Sequence, residues 1–399
     1  MKISIIQPSR NNLKYLKWSY DAIRKNQGNH IVEICVADDF SDKDDTWGWC
    51  LEMMSKDSNF KAIRNNGPSR LGHTILYDRL INEVATHDIC MIYHADMYLC
   101  PRALDEIEKN IGPKKIVSLT RIEPPLHPPG QEKILLDCGT EPEQFDEQYL
   151  LTWLNGIIGK TEYLKCTEGI FAPWAFMKSD FQEIGGHDPL YAPQSKEDSD
   201  IFNRFQLNGV KFIQTWQGLV YHMTCRGSRF NPTLTTPGQN SPEWEAQNQR
   251  STRNFIRKWG HFVKHDTYMK PIIPPKYNIG FIIHNCTEQL LNVLEPWCSD
   301  VYIDIIPDNY IWNEQPNTKF DLLTRVHDIS SETTNDILVN INGHRFNNED
   351  FYVINELATI IQQTNDTGNF AIGNLVIDVK SLVTYENDLI TCHNNIYNK

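Results

Sequence analysis

A chain of 399 residues with 40% hydrophobic and 11% aromatic content can bury a full core, and at this length two of them. No stretch approaches the roughly 18 consecutive apolar residues of a membrane-spanning helix, so integral membrane association is not expected; ten cysteines scattered singly, with no Cys-x-x-Cys pair, exclude a zinc ribbon and a disulfide framework. The net charge of −13 is uneven: from Tyr277 onward there are 17 acidic and 5 basic residues, whereas Met223 to Lys276 holds 9 basic and 3 acidic ones, which argues against bulk nucleic-acid binding but indicates a local basic surface.

Reduced thiols suit a cytoplasmic protein, in the host cytoplasm if the source is viral. The start, MKISIIQPSRN, carries one Lys and a short apolar run broken by Pro8, and reads as a first strand rather than a signal peptide. Lys2 to Gln7 is strand one, and Pro8-Ser9-Arg10-Asn11 its exit turn. Leu13 to Lys25 has apolar residues at helical spacing. Ile31 to Ala37 is strand two, closed by Asp38-Asp39. A helix over Thr46 to Met54, a strand over Phe60 to Arg64 and a helix over Leu71 to Val84 follow. This alternation predicts βαβ units in an α/β fold with a mostly parallel sheet. Carboxylates at strand ends then converge on one crevice.

The stretch Asp88 to Pro101, DICMIYHADMYLCP, is a short buried strand followed at once by His94-Ala95-Asp96. The i, i+2 spacing directs His94 and Asp96 to one side of an extended chain. Imidazole and oxygen ligands together suit Mn²⁺ or Mg²⁺ carrying phosphate better than a closed structural zinc site. A plain surface turn after a core strand is the competing reading.

Three strings then resemble one family. IVEICVADDFSDKDDTW resembles the second-strand signature of family 2 glycosyltransferases, a hydrophobic run followed by Asp-Asp-Gly-Ser-x-Asp. ICMIYHADMYLCPRAL resembles their Asp-x-Asp metal motif. FQEIGGHDPLYAPQSKEDSDIFNRFQLNGVKFIQTWQGLVYHMTCRGSR resembles their acceptor half: Gly-Gly-Phe-Asp, Glu-Asp-x-Asp, and a strand ending in His. The resemblance runs from about Lys2 to Gly260 and implies a GT-A fold, a Rossmann-like sheet with helices on both faces. It also implies a nucleotide-diphosphate sugar as donor.

The resemblance implies roles residue by residue. Asp96 matches the second Asp of the metal motif, and His94 stands where the family has the first. His222 matches the late histidine, which makes His94, Asp96 and His222 the implied metal ligands. Asp38 or Asp39 is to meet the nucleotide base, with Pro8, Ser9, Arg10 and Asn11 lining the other side; Asp38 is assigned to the base and Asp39 to capping. Arg64 and Arg70 are candidates for ribose or phosphate. Asp198, within Glu197-Asp198-Ser199-Asp200, matches the general base of an inverting transfer, which takes the proton of the attacking hydroxyl. Gly186, Trp174 and Glu197 are placed on the acceptor side. Arg226 and Arg229 stand on a loop expected to fold over the diphosphate.

Gln247-Asn248-Gln249-Arg250-Ser251 departs from the Gln-x-x-Arg-Trp of processive relatives, so transfer of a single hexosyl or pentosyl unit is expected. Pro271 to Pro275, a stiff PIIPP connection, marks a boundary between a GT-A domain over 1–270 and a small acidic α/β domain over 271–399. In the latter, Asn278 to His284, Val301 to Ile306 and Ile337 to Ile341 read as strands, and Thr287 to Leu294 and Phe351 to Gln363 as helices. A saccharide acceptor is the favoured reading. The alternative is hydroxymethylated bases of viral DNA, meeting the basic segment. A nucleotidyltransferase is opposed by the lack of a Gly-rich phosphate loop. A non-catalytic sugar-binding protein on a transferase fold completes the alternatives.

Overall fold

A computed structural model of the protein describes residues 1–157, 159–224 and 240–392. The chain divides into two compact units: one takes Met1–Glu197, Asn208–Ala246 and His265–Pro271, the other Asp198–Leu207, Gln247–Lys264 and the residues from Ile272 on.

In the first unit the strands are β1 (Lys2–Ser9), β2 (Ile31–Asp39), β3 (Phe60–Asn65), β4 (Ile89–Ile92), β5 (Met97–Leu99), β6 (Lys115–Glu123), β7 (Lys133–Leu135), β8 (Cys166–Thr167), β9 (Trp174–Met177) and β10 (Lys211–His222). They form one sheet in the order β3-β2-β1-β4-β9-β6-β10-β5, with β7 on β6 and β8 on β10. The pairs β3-β2, β2-β1, β1-β4, β6-β10 and β6-β7 are parallel; β9, β5 and β8 run the other way. Central β1 is buried along Ile3, Ser4, Ile5, Ile6 and Gln7, because helices covering both faces of a parallel sheet leave neither face to water.

Helices Leu13–Asn26, Thr46–Lys56 and His73–Arg79 fall where the apolar spacing places them. The last continues as a single π turn over Leu80–Val84, so the expected helix through Val84 is present with its final turn widened. The mixed α/β architecture is the one expected.

The second unit holds β11 (Ile279–His284), β12 (Asp300–Ile303), β13 (Val326–Asp328), β14 (Ile337–Asn342), β15 (Gly368–Ile372) and β16 (Leu375–Val379) in the order β13-β12-β11-β14-β16-β15. β11 to β14 are parallel, and the β15–β16 hairpin closes one edge in antiparallel fashion. Helix Asn348–Thr364 starts on a capping box between Asn347 and Asp350.

A simple cut after residue 270 does not describe the partition, because segments 198–207 and 247–264 group with the chain beyond Ile272. The reason is local. Ile256, on helix Pro242–Trp259, is buried in one apolar cluster with Tyr277, Phe281, Leu291 and Val301. Its neighbour Arg257 lies 2.6 Å from the fully buried Glu295. Among the described residues, no helix is long and apolar enough to cross a membrane.

Candidate metal and donor site

The chain leaves β4 at Ile92, turns through His94-Ala95-Asp96 and enters β5. β5 pairs antiparallel with the end of β10, placing His222 opposite Met97, and Met223 N donates to Asp96 O at 3.0 Å. This pairing carries the late histidine to the early carboxylate. Ligand atoms of His94, Asp96 and His222 all lie within 4.8 Å of one another, with His222 Nε2 3.5 Å from Asp96 Oδ1. The cluster forms on a turn, not on the extended chain that the i, i+2 spacing suggests.

Electrostatics separate the two rings. Burial drives His94 down to about 3 against the pull of Asp96, so it is a neutral imidazole, the form that ligates metals. Burial also opposes charge on His222, but the Asp96 and Glu123 carboxylates outweigh it and hold the ring up to about 9. A dication at Nε2 competes with that proton. Glu123 Oε1 lies 3.0 Å from His222 Nδ1, and Arg121 and Lys133 hold Glu123 at 2.8 Å and 3.0 Å. Two imidazoles and a carboxylate, with one ring oriented by a buried second carboxylate, fit a divalent ion such as Mn²⁺.

A cleft beside β1 is lined by Pro8, Ser9, Arg10, Asp39, Arg70, Gly72, His73 and Gln194, so five of the expected donor residues come together. Asp39 is committed to the loop: Oδ1 accepts from Asn65 Nδ2 and Leu71 N, and Oδ2 from Gly72 N, each at 2.8 Å. Gly72 is required there, since at φ +79° a Cβ would lie 2.0 Å from Pro193 O. Asp38 is fully buried. Its Oδ1 accepts from Ser41 N at 3.1 Å, and its Oδ2, 3.2 Å from Arg64 Nε, has no well-formed hydrogen bond. Arg64 thus sits against Asp38 rather than in the cleft. Asn11 braces the turn, its Oδ1 accepting from Asp42 N and Lys43 N at 2.9 Å and 3.0 Å. Ser9 Oγ is buried with no hydrogen-bond partner among the described residues.

On the acceptor half, Gly186 takes φ +71° against Asp78. Trp174 is fully buried in β9 against Phe176, with ring centroids 4.8 Å apart, so the core claims it and no face is open to a sugar. Helix Glu197–Leu207 begins after Ser195 and Lys196, both in left-handed backbone at φ +80° and +71°, a strained entry. Glu197 is buried. Asp200 is fully buried, accepting from Arg204 Nε at 2.7 Å and Trp259 Nε1 at 2.9 Å, with Lys258 Nζ at 2.7 Å. Asp198 alone of the three carboxylates is partly exposed. Arg226 and Arg229 lie outside the described residues.

Two further residues belong to the site. Glu123 ends β6, and the strand-end rule that singles out Asp38 applies equally to it. His73 opens the helix beside the cleft and lines it; burial and Arg70 lower its pKa, while Asp39 and Asp96 pull the other way. A lone His after Gly72 carries no sequence signal of that kind.

Residues 4–182 match the model of the family described as glycosyl transferase family 2. No curated protein sequence matches. Similar solved structures include GalNAc-T7 with UDP, GalNAc and Mn²⁺, 15% identical, covering 56% of this chain and 44% of that one at TM-score 0.42. The mannosyltransferase PcManGT of Pyrobaculum calidifontis, in complex with GDP-Man and Mn²⁺, is 15% identical, with coverage of 56% and 58% and TM-score 0.39. Residues 1–349 of S. aureus TarS are 14% identical, with coverage of 56% and 60% and TM-score 0.41. The chain thus spans about half of the length of these structures. Residues 4–182, which hold two of the three candidate ligands and the cleft lining apart from Gln194, are thus similar to glycosyl transferase family 2.

Proposed function

We propose that the protein is a metal-assisted, inverting glycosyltransferase that moves one sugar from a nucleotide-diphosphate sugar to a hydroxyl of a saccharide. The observation that carries this reading is the convergence of His94, Asp96 and His222 within 4.8 Å, next to a cleft lined by Arg10, Arg70 and His73. Those three residues would hold a divalent ion, whose charge would offset the negative charge that develops on a departing diphosphate. Arg10 and Arg70 add cationic donors to phosphate oxygens, and Ser9 Oγ offers a hydrogen bond from the cleft wall. Asp38, at the end of β2, is fully buried and outside the lining of this cleft, so it is not assigned to the base. Asp198, which matches the general base of the family's Glu-Asp-x-Asp string, is assigned that role.

A DNA acceptor is the less favoured reading. Of the basic residues from Met223 to Lys276, Arg253 lies 2.7 Å from Glu314, Arg257 2.6 Å from Glu295, Lys258 2.7 Å from Asp200 and Lys264 2.6 Å from Glu356. Lys270 pairs with Glu168, and the Lys276 ammonium is buried on Arg257 O at 3.1 Å. Five of the nine basic residues of this segment are thus paired with carboxylates, which favours a saccharide over DNA.

The test is incubation with a panel of sugar nucleotides, Mn²⁺ and saccharide acceptors. Release of nucleoside diphosphate supports the reading, pyrophosphate would make the protein a nucleotidyltransferase, and no turnover with any donor would sink both.

A further inference from the structure

A second cleft, with a cavity volume of about 190 Å³, opens on the helix His73–Arg79 and is lined by Thr74, Ile75, Asp78, Arg79, His187 and Pro189 among others. That volume is below the roughly 300–1,000 Å³ of drug-sized ligand sites and leaves room for one small ligand. Two polar side chains in its wall lack partners. His187 is 2% exposed and Thr74 1% exposed, and neither His187 Nε2 nor Thr74 Oγ1 has a hydrogen-bond partner among the described residues. Buried polar atoms are nearly always hydrogen-bonded, so two unpaired ones in one cleft wall call for a partner from outside.

The surroundings of His187 explain why Nε2 is the atom left open. Nδ1 donates to Asp78 Oδ1 at 2.6 Å, and the His187 backbone N–H reaches Asp78 Oδ2 at 3.1 Å. Gly186 permits that approach, since a Cβ at its φ of +71° would lie 2.1 Å from Asp78 Oδ2. Tyr77 stacks on the ring at 5.6 Å, and Phe181 meets it edge-on at 5.5 Å. Of the two ring nitrogens, Nε2 is the one with no hydrogen-bond partner among the described residues.

A hydroxyl is the ligand group that matches. It donates to an imidazole nitrogen whose partner nitrogen carries the proton, and it both donates to and accepts from a threonine hydroxyl. A bare anion is not matched, because the Arg79 guanidinium is paired with Glu83 at 3.3 Å. Ile75 and Pro189 supply apolar surface for the C–H face of a sugar ring.

We propose that this cleft is a subsite for one sugar residue of the acceptor saccharide, with His187 Nε2 and Thr74 Oγ1 binding its hydroxyls. The inference rests on the glycosyltransferase reading for its ligand class. It assigns His187 and Thr74 to binding, with Asp78 positioning His187.

The test uses the full chain with free glucose, galactose, mannose, N-acetylglucosamine and their disaccharides, followed by saturation-transfer NMR and by ¹⁵N imidazole spectra. At least one sugar is expected to bind and to move the His187 Nε2 resonance. His187→Asn keeps an N–H toward Asp78 but has no atom at Nε2, and Thr74→Val keeps the shape without the hydroxyl. Each is expected to weaken sugar binding about tenfold while leaving UDP and GDP binding unchanged. No sugar binding, an unmoved Nε2 resonance, or wild-type affinity in both variants overturns the subsite. Failure of every nucleoside diphosphate to bind the wild type would instead remove the glycosyltransferase reading, whatever the sugars do.

Discussion

His222 Nδ1 lies 3.0 Å from Glu123 Oε1, so the other nitrogen of the ring, Nε2, is the one turned toward Asp96 at 3.5 Å. Glu123 is in turn clamped by Arg121 and Lys133, and all four side chains are at least nine-tenths buried. Such a carboxylate sets the tautomer and basicity of a ligating histidine. Glu123→Gln keeps the shape and an oxygen for Nδ1–H but removes the charge. Mn²⁺ affinity measured by calorimetry is expected to fall by a factor of about 10 to 100. Unchanged affinity would detach Glu123 from the metal cluster.

Asp96 and Asp198 are expected to fail in different ways. Asp96→Ala should abolish both Mn²⁺ binding and turnover, as should excess chelator on the wild type. Asp198→Asn should leave donor binding intact while lowering kcat by a factor on the order of 10² or more. A loss of donor affinity in Asp198→Asn, read from nucleotide-sugar titration, would contradict the general-base assignment.

A chain ending at residue 270 should not fold as a soluble domain. It keeps helix Pro242–Trp259 but removes the apolar cluster around Ile256 and the Glu295 partner of Arg257, whose side chain is fully buried. Size-exclusion and thermal melting of the truncated chain decide this, and a monodisperse, cooperatively melting product would show that the two units are separable there.

Glu295 supplies a pH test of the second unit. Burial pushes its carboxyl up, but Arg257 and Arg325 outweigh that and hold it at about 2, below the ordinary 4.5. A depressed carboxylate stabilises fully above its unfolded value and loses that contribution as pH falls toward 2. Glu295→Gln should therefore be less stable than wild type near neutral pH, with the gap narrowing below about 4.5. Urea midpoints at pH 7 and pH 3.5 measure it; an equal gap at both would place the stabilisation elsewhere.

Because five of the nine basic residues of the segment pair with carboxylates, hydroxymethylated DNA is expected to be a poor acceptor even at low salt, and retention on DNA should show little salt slope. Efficient transfer to DNA, falling steeply between 50 and 200 mM salt as expected when many phosphates are neutralised, would return the DNA reading.

The order of strands and helices through β4 was legible in the sequence, because alternating apolar runs and helical spacing are local properties. So were the identities of Asp96, His94 and His222 as candidate ligands, and the grouping of Pro8, Ser9, Arg10, Asp39 and Arg70. The β15–β16 hairpin and β9 were not, since short strands take their identity from the partners they pair with. The division of roles between Asp38 and Asp39 was equally open in a string of two adjacent carboxylates. Only the loop returning through Leu71 and Gly72 commits Asp39 to backbone N–H groups. Trp174 could serve a sugar or a core until the pairing of β9 between β4 and β6 enclosed it. The charge of the segment from Met223 to Lys276 could be counted in the sequence but not its availability. Composition records how many cations a stretch carries, whereas their carboxylate partners, from Glu168 to Glu356, are brought to them by folding alone.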